Sequence, residues 1–312
     1  QRAGRAGRLG PGTCYRLYGR HTFNAMTAFP LPEILTADLT SLVLELAVWG
    51  VRDPADLAWL DPPPEAAVAA ARELLRDLGA LDRDGRVSAT GKRMAELPVH
   101  PRIARMLLRG EELGIAETAA TIGALLAERD IFRYGPGETA GRCDCDILER
   151  CGALAERGQR DPRIQAGPVR AVRRTASQLA RLMEASATAL PQSPPTIDDD
   201  ARLLLAAYPD RVARQREDGN DRYLLANGRG ARLSRKSGVG SRPWILAVQV
   251  DAGEQKDGLI HQACTLDPEQ VRAECGNRIT LERRVAWDNG QERVMAWEEE
   301  AFGALALSRR QA

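Results

Sequence analysis

No Gly-x-x-x-x-Gly-Lys-[Ser/Thr] loop and no Asp-Glu-x-His run occur in the 312 residues. The backbone cradle for a nucleotide's phosphates and the carboxylates for its magnesium are therefore both missing from this sequence. Histidine is equally scarce. His21, His100 and His261 stand in no arrangement with Ser or Cys that would pair a nucleophile with a base. His100, between Val99 and Pro101, reads as a capping or packing residue. The chain by itself is expected to hydrolyse nothing. Aromatic residues make up only 4% of the sequence, which leaves little scope for stacking on bases. Lysine is almost absent too: Lys92, Lys236 and Lys256 are three of 44 basic residues, a bias read as the base composition of the gene. No apolar run approaches the roughly 20 residues of a membrane span, and no secretory signal is present, so a soluble, cytoplasmic setting is expected. An initiator Met is also missing, which fits a fragment.

The six cysteines, Cys14, Cys143, Cys145, Cys151, Cys264 and Cys275, are dispersed in a chain too large to need stapling, so a reduced state is the simplest reading. Cys143, Cys145 and Cys151 could supply three ligands. No nearby His completes a tetrahedral set, and Cys-x-Cys is tight for one site. Incidental thiols and no metal are expected.

The length allows two or three domains, and an apolar fraction of 44% is enough to bury cores. The net charge of +1 identifies no partner, but the charge is uneven. Residues 157–181 hold seven Arg against one Asp, and residues 211–236 hold eight basic residues against three acidic. Such patches either solvate a face or track phosphates.

Along the chain, Thr13–Tyr18 reads as one short strand whose sheet partners must lie elsewhere. Pro32-Glu33 opens a helix to about Trp49, ended by Gly50, and a second helix runs from about Pro63 to Leu78. A hairpin about Arg83-Asp84-Gly85 and a short helix through Lys92–Leu97 follow. Helices followed by a small hairpin give the layout of a winged helix. Beyond Pro98–Pro101 come helices at about 101–113 and 116–129, a loop at 133–144, and helices near 146–156 and 168–187. Pro191, Pro194 and Pro195 mark a linker. A short helix at 200–208 then gives way to strands at 222–226, 231–234, 243–250, 259–265, 278–285 and 293–300, which suggest a small barrel. The expected class is α+β and multidomain: a mostly helical winged-helix and ratchet bundle followed by a small OB-like barrel.

The first eight residues, Gln1-Arg2-Ala3-Gly4-Arg5-Ala6-Gly7-Arg8, carry three arginines and no acid. Guanidinium forks at this spacing suit a polyphosphate, although Arg-Gly peptides are also common as solvated tails. The order Gln-Arg-x-Gly-Arg-x-Gly-Arg resembles motif VI of superfamily 2 helicases, in its DEAH-box form. Pro32–Leu35 and Trp49-Gly50 look like the start of the winged-helix domain of that group, and Leu97–Leu107 like the start of its ratchet domain. Trp59–Pro64, Ala207–Ala213 and Arg222–Ala231 resemble the bacterial HrpB type.

The resemblance implies four segments: 1–20 closing the second RecA-like lobe, 21–98 winged helix, 99–197 ratchet-type bundle and 198–312 an OB-like domain. It implies an ATP-dependent helicase with ATP and Mg2+ held mainly outside this chain, and RNA or single-stranded nucleic acid as partner. Gln1, Arg5 and Arg8 would face the nucleotide, with the two arginines on the γ-phosphate. Arg173, Arg174 and Arg181 on one helix, and Arg229, Arg232 and Arg235 in the barrel, are candidates for the phosphate track, with Tyr223 as a candidate for base stacking. A noncatalytic winged-helix binding module is the alternative. Against it, the helix before the wing reads Glu-Ala-Ala-Val-Ala-Ala-Ala-Arg and offers almost nothing to base edges.

Overall fold

A computed structural model describes residues 2–27, 29–135, 137–155, 161–184, 197–217, 219–251, 257–288 and 293–311. Gln1, the Pro-rich linker and the Asn289-Gly290 turn lie outside the described residues. The chain starts with two short helices, α1 (Arg2–Ala6) and α2 (Arg20–Ala25). The strand expected at Thr13–Tyr18 does not form. A strand needs a partner for its backbone groups, and no described strand pairs with this one. Side chains from Gly4 to Thr27 are exposed.

The helix expected over 33–49 is broken in two. Glu33–Leu35 is a 3-10 turn, and α3 spans Thr40–Val48. Asp38 causes the break, because its carboxylate draws the Thr40 amide at 2.7 Å and so starts a new helix locally. Helices α4 (Glu65–Asp77) and α5 (Ala89–Ala95) complete the winged helix. Its wing is reduced to a single bridge, Leu81 opposite Val87. Ser88 caps α5 by accepting from the Gly91 amide at 2.9 Å. Leu75, Leu78, Met94, Leu39 and Val43 form its core.

The bundle comprises α6 (Pro101–Leu113), α7 (Ala116–Ala127), α8 (Asp146–Ala155), α9 (Ala166–Glu184) and α10 (Ile197–Ala207). His100 does cap α6, accepting from the Arg102 amide at 3.2 Å, with Pro101 at the first turn. Gly114 closes it in a left-handed conformation, φ 73°. The core of this bundle continues without interruption into the outer layer of the barrel, through Leu204, Val212, Leu246 and Leu266.

The barrel consists of β1 (Val212–Gln215), β2 (Arg222–Leu225), β3 (Gly230–Leu233), β4 (Trp244–Asp251) and β5 (Gly258–Thr265). It is closed in the order β1-β2-β3-β5-β4, with β3 and β5 parallel and β4 returning to β1. Closure leaves no free edge. Helix α11 (Pro268–Cys275) follows, then a sheet of β6 (Ile279–Asp288), β7 (Arg293–Phe302) and β8 (Leu305–Gln311). The sequence reading missed β1 and α11. The signal for α11 is a capping box: Asp267 accepts from the backbone of the first turn while the Gln270 side chain accepts from the Asp267 amide.

Candidate nucleic-acid interface

Helix α9 packs on α7 through Val172, Leu179 and Met183. Its opposite face exposes Arg170, Arg173, Arg174 and Arg181. At 100° per residue these four fall on one stripe, and residues 166–183 contain no acid. The sequence reading named three of them. Arg170 extends the stripe by one turn. Arg173 is partly committed, because it donates to the Leu154 carbonyl at 2.9 Å and so satisfies the C-terminal end of α8.

The barrel arginines do not share one environment. Arg235 is exposed beside Lys236, just after β3. Arg232 lies opposite Arg222 across β2 and β3 and is paired with Asp221 at 2.7 Å. Arg229 borders a cavity of about 650 Å3 between the winged helix and the barrel, where Asp38, Glu73, Asp77, Asp210 and Asp251 also stand. Arg102 and Arg211 line it too, so acids outnumber arginines five to three there. The expectation that Tyr223 stacks on a base is corrected. Its ring is fully buried inside the barrel, and its hydroxyl donates to the Arg242 carbonyl at 2.9 Å. In a four-residue strand of a closed barrel, the residue between two outward-facing positions points inward.

Arg5 and Arg8 are exposed on and just after α1, free of the folded core. Gly12 folds back on this turn so closely that a Cβ would lie 1.9 Å from the Ala6 carbonyl oxygen. Only glycine permits that approach.

Two joints hold the bundle to the barrel. In the first, Asp146 at the start of α8 is buried, and its carboxylate accepts from the Ser237 hydroxyl at 2.6 Å and from the Gly238 and Ala263 amides at 2.8 and 2.9 Å. The cysteine reading is corrected here. Cys145 is not a free thiol but is disulfide-bonded to Cys264 in β5, 119 residues away. The pair is fixed by an isolated antiparallel bridge between the two residues, a tertiary feature that spacing in sequence cannot reveal. Cys143 and Cys151 are free. Burial, with Asp146 and Glu149 nearby, pushes the Cys143 thiol up to about 12. Cys143, Asp146 and Glu149 converge, and Asp146 accepts from the Cys143 thiol at 3.6 Å besides its three donors from the barrel, so its carboxylate is engaged in the joint.

The second joint is Arg102. It is buried and donates to both carboxylate oxygens of Asp210, at 2.6 and 2.8 Å, and to the Ala207 carbonyl at 2.9 Å. The Asp210 carboxyl is held low against the opposing effect of its own burial. On the other side of the α6 cap, His100 Nε2 lies 3.5 Å from Asp38, whose carboxyl is held well below the usual range chiefly by that contact.

Asp200 in α10 behaves in the opposite way. Burial, and then the neighbouring Asp199, push its carboxyl up to about 6. The folded chain therefore keeps a proton between about pH 4 and 6 that the unfolded chain releases, so stability falls as pH rises through that window. Asp200→Asn should raise stability at pH 7.5 by about 1–2 kcal/mol and do little at pH 4. Thermal melts at the two pH values check this, and an equal effect at both would rule out titration of Asp200 in that window.

The comparisons with known proteins agree with this architecture. Residues 71–99 match the winged-helix part of the helicase associated domain HA2, and residues 100–165 match its ratchet-like part. The ATP-dependent RNA helicase HrpB of Escherichia coli is 34% identical over 98% of this chain. The similarity to HrpB runs over nearly the whole chain. It spans only 34% of that HrpB chain. The probable ATP-dependent RNA helicase DHX34 of Homo sapiens is 41% identical over 42% of this chain, which covers 12% of that relative. A crystal structure of the E. coli DExH-box NTPase HrpB superposes on all of this chain with a TM-score of 0.72 at 32% identity, the match covering 35% of that chain. That superposition takes in the winged helix, the bundle, the barrel and both joints.

Proposed function

We propose that this chain is the strand-guiding part of an ATP-dependent RNA helicase that acts in the cytoplasm. Residues 1–20 complete a RecA-like lobe, 21–98 form the winged helix, 99–197 the ratchet and 198–312 an OB-like domain. The observation that carries the reading is the acid-free arginine stripe of α9 on a bundle fused to a closed barrel. Guanidinium groups at successive turns of a helix can follow a phosphate backbone without reading its bases. ATP and Mg2+ fit this chain only in part. Arg5 and Arg8 are available to phosphate oxygens, whereas magnesium would be held by residues outside this chain. Bound ATP supplies the phosphoryl group whose hydrolysis drives movement. The part of this chain is to place two fixed positive charges near it and to hold the strand.

The test is single-stranded RNA binding by the 312-residue chain across a salt series. Arg170→Glu, Arg174→Glu and Arg181→Glu together should weaken binding at least tenfold and reduce the salt slope by about two to three. Unchanged affinity and slope would sink the reading. The winged-helix regulator alternative gains no support. One face of α4 is buried in the core and another borders the cavity against the barrel, so this helix is not free to enter a groove.

A further inference from the structure

A second cavity, of about 400 Å3, lies where α8, α10, α11 and the β4–β5 edge of the barrel meet. It is independent of the arginine stripe and of the RNA reading. Its walls are largely apolar, with Leu148, Trp244, Leu266 and Pro268 among them. Its polar groups are acids, an amide and a hydroxyl. Among the described residues no Arg or Lys lines it, in a chain with 44 basic residues.

Most of those polar groups are already engaged. Asp144 is paired with Arg242 at 3.0 Å. Asp267 caps α11 by accepting from the Glu269 amide at 2.9 Å. Gln270 donates to Asp198 at 3.0 Å and accepts from the Asp267 amide at 2.9 Å. Two are not engaged: Asp200 Oδ1 and Thr265 Oγ are buried without a hydrogen-bond partner. Asp200 is only 6% exposed. A buried carboxylate oxygen without a partner is costly, and native structures keep such groups where something else completes them.

We propose that this cavity binds an organic cation: a primary amine carried on a compact aromatic or aliphatic body. The ammonium group donates to the Asp200 carboxylate and the Thr265 hydroxyl. The body packs against the Trp244 ring and the Leu148 and Leu266 side chains. A bare divalent metal is the wrong occupant, because only one carboxylate is unengaged and hard cations take six or more oxygens. A neutral apolar ligand would fill the walls but leave the acid unpaired. The volume matches a ligand of modest size at the lower end of known small-molecule sites.

Benzylamine and benzyl alcohol, matched in shape and differing in charge, separate these cases when titrated into the 312-residue chain by calorimetry at pH 7.5. Benzylamine should bind at least about tenfold more tightly than benzyl alcohol, since a hydrogen bond to a charged group contributes more than a neutral one. Asp200→Asn should abolish that preference, and Thr265→Val should reduce it severalfold. The comparison within the unaltered chain needs no variant to fold. Equal affinity for the two compounds, no binding of either, or an undiminished preference in Asp200→Asn would each overturn the proposal.

Discussion

Alanine in place of Arg8 is expected to slow ATP hydrolysis by about 10³–10⁵-fold when this chain is joined to lobes that cradle ATP. In phosphoryl transfer, charge spreads over the oxygens of the transferred group, and a fixed guanidinium there stabilises the transition state more than the ground state. The loss should therefore fall on kcat, with little change in the KM for ATP. Lysine should not restore the rate, because a single ammonium cannot present the planar fork of donors that spans two phosphate oxygens. Arg8 is exposed and outside every core, so its removal should leave folding and RNA affinity unchanged. Steady-state ATPase kinetics with and without RNA, alongside a melting curve, make the measurement. A loss below tenfold in a normally folded protein would remove Arg8 from the catalytic role.

Replacing Arg102 by alanine should destabilise the fold by about 3–5 kcal/mol, the usual result of stripping one partner from a buried ion pair. Three good hydrogen bonds leave with the guanidinium, and the largely enclosed Asp210 keeps its charge with only Arg211 nearby to offset it. Most of the cost is that stranded carboxylate and not the attraction itself. Two further variants separate the terms. Arg102→Ala with Asp210→Ala should recover part of the loss, and Arg102→Met with Asp210→Leu should come close to the starting stability. Urea unfolding of the four proteins checks the cycle. If the paired variants are no better than the single one, the cost comes from packing around the aliphatic stem of Arg102. The pair joins residues 108 positions apart, so the effect should appear as loss of one cooperative transition rather than fraying at an end.

The helical half of the fold was legible in the sequence because its punctuation is strong. Pro101 and Gly114 bracket α6 within a residue of the expected bounds, and the Asp84-Gly85 turn stands where the wing does. What misled was local chemistry that competes with periodicity. Asp38 splits an apolar stripe that otherwise reads as one helix. Thr13–Tyr18 has the composition of a strand, but composition cannot supply the neighbour a strand needs. At the candidate site, the α9 arginines were readable because one helix generates their common face. Tyr223 was not, because which side of a short strand faces inward depends on barrel closure. The Cys145–Cys264 pair and the orphaned Asp200 arise where distant segments meet, and nothing local announces either.

Helix α6 touches the winged helix, the bundle, the start of the barrel and α11. Ala104 and Leu108 belong to the winged-helix core, and Ile103, Met106 and Leu107 to the bundle core. Arg102 reaches Asp210 at the start of the barrel, and Arg109 reaches Glu274 on α11 at 2.7 Å. Thirteen residues, about 20 Å of rod, thus act as a common axle. A rod so gripped cannot slide or turn against one neighbour without loading the others. A displacement of the winged helix would therefore be felt at the barrel through α6, and any give between them would lie elsewhere than along this helix.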